Sequence, residues 1–507
     1  MRTALGAGRG RLVRQIVTES VLLSLTGAVL GALLATWAVD AVVAFGPRGL
    51  PRLDEVAVDG RVLAFTAVVA LATGIVFGLV PALHVARPDI SQMLKTSVRG
   101  SSRGGVHRTR SLLVASEMAL AVVLLVGAGL LLRSFARLTH VDPGFRTANV
   151  VSFKVTMPDT KYKFDRQKIN FANQLTEQLR SMPGTEAVAV TFGRPLDRIR
   201  FRTTFDIAGL PPNPPEKRMV TEVRTATAEY FRTLGIPLRR GRLYTADEDR
   251  PGAQLIVVSE EFARRYFKGE DAVGKRITLG ISHDTAGDST QVTSGGEIVG
   301  VVGDVKQGDL AEEEYPTAYV PYNSFPLGDA AVLVRTAADP AALERAAPGI
   351  VRALDADMPV YDVRRMDDVV ADSVSQPRFY TMLLGGFAAI ALLLAAVGIY
   401  GVISYVVSLR TREIGIRVAL GASRGRIVNL VIGRGLVLTL AGVAVGLAAA
   451  FWMTRAISSL LFGVSALDPL TYAGVSLVLV GVAVLASYVP ARRAARVDPV
   501  LAMRSDG

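Results

Sequence analysis

The chain has 507 residues, of which half are hydrophobic, and this is too apolar for a soluble protein unless the excess is gathered into membrane spans. A net charge of +12 could suggest a nucleic acid partner, but the basic residues flank apolar segments. This arrangement indicates that the charges orient membrane spans, so we expect no nucleic acid partner. The absence of cysteine excludes a disulfide scaffold, and the four histidines lack the spacing of a metal site.

Six apolar runs are each near or above the roughly 20 residues that cross a bilayer. They predict six transmembrane helices, at about residues 16–45, 62–83, 112–132, 380–407, 430–453 and 470–489. Between the third and fourth runs, residues 141–376 have mixed polarity with Pro and Gly turns, which indicates one soluble domain with its own core.

Basic residues concentrate before the first span, between the second and third, between the fourth and fifth, and after the sixth. The alternate loops balance or lack such charges. By the positive-inside rule, we expect a multi-pass protein of a bacterial inner (plasma) membrane with both termini cytoplasmic and the soluble domain outside.

The soluble domain has a mixed α and β pattern. Residues 149–157 and 186–192 are predicted strands on either side of a helix at 165–182, and residues 331–335, 340–354 and 360–364 repeat that order. Two such units fit one α+β sandwich, with about residues 229–326 inserted as a second lobe.

One stretch of this domain imitates a phosphate-binding loop. Gly269, Gly274 and Lys275 have the required spacing, but Arg276 stands where a Ser or Thr would bind magnesium. The sequence offers no nucleophile elbow, zinc signature or carboxylate pair either, so we predict that the chain is not an enzyme and binds no metal.

The chain contains an internal repeat. The segment beginning at Arg2 matches the segment beginning at Arg417, with eight identical residues among the ten positions from Arg2 to Arg11. The match continues into the following span and returns after the next one, which gives two copies of one unit. The second copy is preceded by a span at 112–132, the soluble domain and a span at 380–407, so we expect the chain to be the C-terminal part of a duplicated permease, or its start codon to be placed too late.

Four stretches of the chain are distinctive. They are TREIGIR at 411–417 followed by ALGA at 419–422, PARRAAR at 490–496, and the outer stretches EYFRTLGIPLRRGR at 229–242 and GEDAVGKRI at 269–277. Together they resemble the FtsX/MacB-like permeases of ABC transporters, in particular their duplicated orphan group. The resemblance implies an α-helical membrane protein with about six transmembrane helices and one MacB-like α+β extracytoplasmic domain. It divides the chain into 1–95, the end of a first FtsX-like repeat with two spans; 96–140, a linker and the first span of the second repeat; 141–376, the MacB-like domain; and 377–507, an FtsX-like domain with three spans.

In the resembled family, the TREIGIR and ALGA segment docks on a cytoplasmic ATPase. ATP and magnesium then belong to that separate subunit, and this chain carries no cofactor. Residues 413–432 read as one amphipathic helix along the inner face. A helix that only binds anionic lipid is the alternative, but the repetition of ALGA favours ATPase coupling. The resemblance assigns this role to Arg412, Glu413, Gly415, Arg417, Ala419, Leu420, Gly421 and Ala422, and by repetition to Arg2, Ala4, Leu5, Gly6 and Ala7.

Two further sets of residues lie inside the predicted spans. Gly27 with Gly31, and Gly442 with Gly446, permit close approach of another helix, either as a specific interface or as ordinary intrachain packing. Glu117 is expected to have a structural role near the membrane surface. Glu19 and Arg434 occupy equivalent positions of the two copies with opposite charges, so they could pair across a pseudo-twofold axis in a homodimer or a pseudo-dimer of the repeats.

Three functions fit these features. The first is a permease subunit that transmits ATP hydrolysis to the outer domain and thereby exports or extracts a substrate. The second is a regulator of an extracytoplasmic protein partner, such as a cell-wall hydrolase, without transport. The third is a degenerate, inactive fragment.

Overall fold

The computed structural model describes residues 9–46, 55–85, 104–211, 214, 218–284 and 291–496. They divide into a membrane unit, from Met1–Arg137 and Ser375–Gly507, and an α/β domain, Leu138–Val374. The α-helices are α1 Arg9–Phe45, α2 Gly60–Val85, α3 Gly104–Leu138, α4 Asp165–Arg180, α5 Tyr230–Leu234, α6 Glu260–Phe267, α7 Pro340–Leu354, α8 Met366–Ser373, α9 Ser375–Leu409, α10 Thr411–Ala419, α11 Arg424–Ala456 and α12 Pro469–Ala494. The strands are β1 Val150–Thr156, β2 Thr185–Thr191, β3 Arg202–Ile207, β4 Met219–Ala226, β5 Leu238–Gly241, β6 Leu255–Ser259, β7 Arg276–Asp284, β8 Gln291–Val302, β9 Thr317–Pro321, β10 Asp329–Thr336 and β11 Val360–Arg365.

Among the described residues, five helices are long and apolar enough to cross a membrane, namely α1, α3, α9, α11 and α12. The predicted span at 62–83 lies in α2, a helix of 26 residues that includes the apolar stretch Gly60–Val76. The structure therefore supports a multi-pass membrane unit, while the count of six spans stays a prediction. α3 is the most enclosed of the five, and its residues Met118, Val122, Val126 and Leu130 form a core with α9, α11 and α12.

The internal repeat is visible as two helix pairs with the same crossing point. In the first pair, α2 approaches α1 so closely at Gly78 that an added Cβ would lie 3.0 Å from Ser20 Cβ. In the second pair, α11 approaches α12 where a Cβ on Gly435 would lie 2.5 Å from Ser487 Oγ. These four residues occupy equivalent repeat positions with glycine and serine exchanged, so each crossing keeps one glycine and one serine.

The first lobe of the α/β domain is a four-stranded antiparallel sheet in the order β11-β1-β10-β2. α4 connects β1 to β2 and α7 connects β10 to β11, so two strand-helix-strand units interlock as in ferredoxin-like folds. Phe171 and Leu175 of α4 and Leu343 of α7 pack with Phe153 and Val332 of the sheet. The six predicted elements of this lobe are confirmed to within two residues at each end.

The second lobe is a closed ring of six strands. Strand pairing runs β4-β3-β7-β8-β6-β9 and returns to β4 through a parallel β9–β4 pair, with β5 added beside β8. Phe205, Val223, Ile256, Phe262 and Ile298 fill its core. The lobe joins the first sheet through one pair, Thr191 with Ala226.

This barrel corrects the predicted start of the second lobe at residue 229. β3 and β4 already belong to it, so it begins near Arg202. The prediction was wrong because β3, with the sequence RTTFDI, is short and carries several polar and charged side chains. Its apolar environment comes from strands that lie elsewhere in the sequence, so the sequence of β3 alone does not indicate a strand.

Candidate functional site

The segment singled out for coupling forms a corner between α9 and α11. α9 ends at Leu409 and α10 begins at Thr411, whose Oγ1 donates to the carbonyl oxygens of Val407 at 3.1 Å and Ser408 at 3.0 Å. Ile414, on the buried face of α10, packs with Ile403 of α9 and with Ile427 and Val431 of α11. The short helix is therefore fixed to both spans by apolar packing.

The ALGA sequence ends α10 instead of continuing it. Gly421 has a left-handed φ of +85°, and its N–H donates to Val418 O at 3.0 Å while the N–H of Ala422 donates to Arg417 O at 2.9 Å. These two bonds define a Schellman motif, in which glycine is favoured because it adopts positive φ without strain. The prediction of a single helix over 413–432 is thus wrong. The apolar period continues through the segment, but Gly421 turns the backbone, and a new helix begins at Arg424 after Ser423 in the N-cap position.

The corner, defined here as residues 410–424, presents both charge and apolar surface. Arg417 Nη2 lies 2.7 Å from Glu413 Oε1, and Arg410 Nη1 lies 3.5 Å from Glu413 Oε2. Leu420 is 82% exposed at the tip, beside exposed Ala419 and Gly421. The tip therefore offers one exposed leucine beside charged residues.

The remaining predicted coupling residues fall into two groups. Arg412 is exposed on α10 and Gly415 is buried on its opposite face, so only part of the motif can contact a partner directly. The first-copy residues Arg2, Ala4, Leu5, Gly6 and Ala7 lie outside the described residues, and their coupling role stays a prediction. Arg9, the first described residue of α1, is the repeat equivalent of Arg424.

The two glycine pairs have different environments. A Cβ on Gly442 would lie 2.6 Å from Met118 Cβ, and one on Gly446 would lie 2.8 Å from Ala119 O, both on α3. By contrast, nothing lies within 4 Å of the Cβ positions of Gly27 and Gly31. Gly442 and Gly446 therefore serve intrachain helix packing, whereas the same motif in α1 has no protein contact among the described residues.

The charged residues of the spans also differ from one another. The Glu117 carboxylate lies against Gly398 of α9, where a Cβ would collide with its Oε2, so this residue fills a gap between two helices. Glu19 is exposed on α1, and Arg434 lines a cleft with Arg410, Glu413 and Arg417. Within the described part of this single chain, no ion pair joins Glu19 to Arg434.

Sequence reasoning missed a polar contact at the opposite end of these helices. Arg133 of α3 forms an ion pair with Asp468, which also caps α12 by accepting from Thr471 N at 2.8 Å and Thr471 Oγ1 at 2.6 Å. The Asp-Pro sequence at 468–469 is a helix-start signal that could have located this cap. Arg133 lies 335 residues before Asp468 in the chain, so no local sequence pattern indicated that the two residues form a pair.

A buried ionic network in the α/β domain was also missed. Arg194 donates to Ser152 Oγ at 2.7 Å and to Asp197 Oδ1 at 3.1 Å, and it forms an ion pair with Asp362. Burial raises the pKa of Asp362, but nearby Arg194, Arg364 and Lys154 outweigh this effect and hold the pKa below its usual value. The network ties β1 and β11 to the loop 193–200.

Arg224 holds the same loop from the barrel side. Its guanidinium is fully buried and donates to Phe192 O at 3.0 Å, Ile199 O at 2.8 Å and Glu222 Oε1 at 2.6 Å. Loop 193–200 is therefore clamped to the first sheet by Arg194 and to β4 by Arg224. It reinforces the single strand pair that joins the two lobes.

Asp249 predicts a pH dependence of the α/β domain. Desolvation of its buried carboxyl raises the pKa from 3.8 to about 6. The folded domain then binds this proton more tightly than the unfolded chain, so the free energy of unfolding should fall by about 2 kcal/mol as pH rises from about 4 to about 6, and level off above. Asp249→Asn should flatten this part of the profile, measured by thermal unfolding of the full chain at successive pH values.

The matched control for that experiment is Asp247→Asn, which removes an exposed carboxyl two residues away. It should leave the pH profile of wild type in place. If the stability of Asp249→Asn still fell between about pH 4 and 6 as in wild type, Asp249 would not be the group responsible.

The phosphate-loop imitation is a surface loop between α6 and β7. Lys275 Nζ lies 2.9 Å from Glu270 Oε2, so the lysine that would hold a phosphate pairs with a carboxylate of the same loop. No group of three or more potential metal ligands occurs among the described residues.

A membrane unit of long apolar helices, with an α/β domain inserted between α3 and α9, defines a multi-pass membrane protein. Residues 385–499 match the FtsX-like permease C-terminal model, and residues 116–350 match the MacB-like periplasmic core domain. The chain therefore contains an FtsX-like permease domain and a MacB-like periplasmic core domain, as the resemblance of its motifs indicated.

Two curated relatives illustrate the similarity. The macrolide export ATP-binding/permease protein MacB of Wolinella succinogenes is 26% identical over 56% of this chain and 44% of its own length, and the uncharacterized ABC transporter permease YknZ of Bacillus subtilis is 25% identical over 54% and 68%. The crystal structure of the periplasmic region of MacB from Actinobacillus actinomycetemcomitans aligns with 46% of this chain and 95% of that chain, with 13% identity and a TM-score of 0.30. The chain thus spans less than half of that first relative, and its relatives are components of ABC transporters.

Proposed function

We propose that the chain is the permease subunit of an ABC transporter that passes ATP hydrolysis on a separate cytoplasmic subunit to its α/β domain, and so exports or extracts a substrate. The corner at 410–424 carries this proposal. A push on the exposed tip moves α10, and because Ile414 packs on both α9 and α11, the push reaches two spans together. α9 continues from α8 and β11, so its tilt acts directly on the α/β domain.

The proposed orientation places the corner in the cytoplasm and the α/β domain outside. Arg410, Arg412, Arg417, Arg424 and Arg426 all lie at the corner end of the spans. At the other end, Arg133 is neutralised by Asp468. This asymmetry supports cytoplasmic termini by the positive-inside rule.

Leu420→Asp tests the coupling proposal. The side chain is exposed, so the substitution should not change folding, but it places a charge at the centre of the proposed docking surface. We expect recovery of a co-purifying ABC ATPase from gently extracted native membranes to fall at least tenfold, since losing one apolar anchor and desolvating a carboxylate costs about 2 kcal/mol or more.

The control is Leu460→Asp, which makes the same change at a 49% exposed leucine in the connection between α11 and α12. It should keep the ATPase. Equal recovery of an ATPase with wild type and Leu420→Asp would reject the corner as the docking surface, and no ATPase in any sample would reject the transporter proposal.

One relative is named for macrolide export, so bulky, largely apolar compounds are the substrate class to test first.

The regulatory alternative is supported by two adjoining cavities of the α/β domain, of about 350 and 280 Å³, which meet at Arg239 and Glu260 and offer a charged surface to a protein partner. Deleting the gene separates the two: we expect increased sensitivity to such compounds, whereas lost wall-hydrolase activity with normal efflux would favour regulation.

A further inference from the structure

A cleft lined by arginines opens between α9, α10 and α11. Arg410, Arg417 and Arg434 surround it together with Glu413, and its walls are apolar, with Ile403, Val407, Leu430 and Val431. Three guanidinium groups face one carboxylate, so the cleft carries two excess positive charges. The cleft is narrow, with a volume of about 20 Å³ that admits little more than a water molecule, so a larger ligand binds at its mouth, against the guanidinium groups.

Glu413 does not neutralise all three cations. It contacts Arg417 at 2.7 Å and Arg410 at 3.5 Å, both through its carboxylate oxygens. Arg434, by contrast, forms no hydrogen bond or ion pair with any described residue, although it is partly buried. The uncompensated charge of the cleft is therefore centred on Arg434.

Arg434 also lies inside the predicted span at 430–453. It follows the first residue of that span by four positions, about 6 Å along the helix, after apolar Leu430, Val431 and Ile432. A cation inside a span is costly unless it reaches the polar boundary or an anion. Arg434 faces the corner, where an anion at the membrane surface would compensate it.

We propose that this cleft binds the phosphate headgroup of an anionic phospholipid. Guanidinium groups bind phosphate oxygens through paired N–H donors, and basic clefts between membrane helices recognise anionic headgroups in this way. Val407 and Leu430, which are not buried, continue from the charged rim along the spans, where they contact an acyl chain. This continuity favours a lipid over free phosphate.

The internal repeat makes the site specific to one copy. The equivalent of Arg434 in the first copy is Glu19, which is exposed on α1 and repels phosphate. A lipid that bound only through the general basic charge of the protein would not distinguish these positions. The sign change therefore predicts one site of this kind and not two.

The test measures lipid binding to the purified, delipidated full chain in neutral detergent by native mass spectrometry. Phosphatidylglycerol is titrated in parallel with phosphatidylcholine. We expect Arg434→Gln to weaken phosphatidylglycerol binding at least about fivefold, the effect of one basic residue at a membrane surface, and Glu413→Gln to strengthen it. Arg426→Gln is the matched control, because it removes the same charge from the exposed first turn of α11.

Three results would overturn the proposal. Equal weakening by Arg434→Gln and Arg426→Gln would indicate diffuse attraction and no site. Weaker binding of phosphatidylglycerol to Glu413→Gln would contradict the charge argument. This measurement does not require that the Arg434 variant folds. Competition by inorganic phosphate or glycerol phosphate at the same concentration as the lipid would assign the cleft to a soluble anion.

Discussion

Gly446→Leu is expected to disrupt the packing of α11 against α3 and to destabilise the membrane unit. A Cβ at this position would already lie 2.6 Å from Val122 Cβ and 2.8 Å from Ala119 O. Ala119 O is a backbone atom, so it can move away only if α3 bends. Overpacking by a few methylenes costs about 1–3 kcal/mol, and leucine adds more than that here. The thermal unfolding midpoint of the solubilised chain, and its amount in the membrane, should both fall.

The internal repeat supplies the control. Gly31 is the equivalent residue of the first copy, and nothing lies within 4 Å of its Cβ position. Gly31→Leu makes the same change on an apolar surface and should leave both measurements near wild type. If the two variants are equally destabilised, the difference between the two glycine motifs is not real.

Arg224→Met should loosen the connection between the two lobes of the α/β domain. The substitution removes the donors to Phe192 O and Ile199 O and leaves Glu222 as a buried, unpaired charge. Breaking a buried pair in this way costs about 3–5 kcal/mol. We expect faster hydrogen exchange of amides in residues 192–200 and in β4 of the full chain, with a smaller effect in β1.

Two variants calibrate this result. Arg202→Met removes an exposed arginine that stacks on the Tyr315 ring at 4.0 Å, which should cost about 0.5–1 kcal/mol. Arg224→Met with Glu222→Leu removes both charges and should restore part of the lost protection. Unchanged exchange in Arg224→Met alone would show that loop 193–200 is held by other contacts.

The sequence predicted the elements whose signals are local. The α4 and α7 helices show strong apolar periods, and the predicted bounds of α7, 340–354, match the structure, where Asp339 caps the helix and Pro340 begins it. The repeat placed α1 and α11 in equivalent positions. These features depend on spacing along the chain, which a single sequence displays.

The rest depended on contacts between distant residues. Gly442 and Gly27 belong to identical motifs, and only the position of α3 separates a packed glycine from an exposed one. Gly421 was assigned to the coupling motif without its role in ending α10, since an isolated glycine in a helical period does not reveal its φ. Arg434 was recognised as a charge in a span, but its neighbours Arg410 and Arg417 come from the turn before α10 and from α10 itself.

The strand order of the α/β domain determines when it can fold during synthesis. β1 pairs only with β10 and β11, and Val150 meets Arg335, 185 residues later in the chain. At about 5–20 residues per second, β1 waits on the order of 10–40 s for its first partner. The ring of β3 to β9 is complete before β10 emerges, so the barrel can fold first. The unpaired edges of β1 and β2 are then the segments that a chaperone must protect from aggregation.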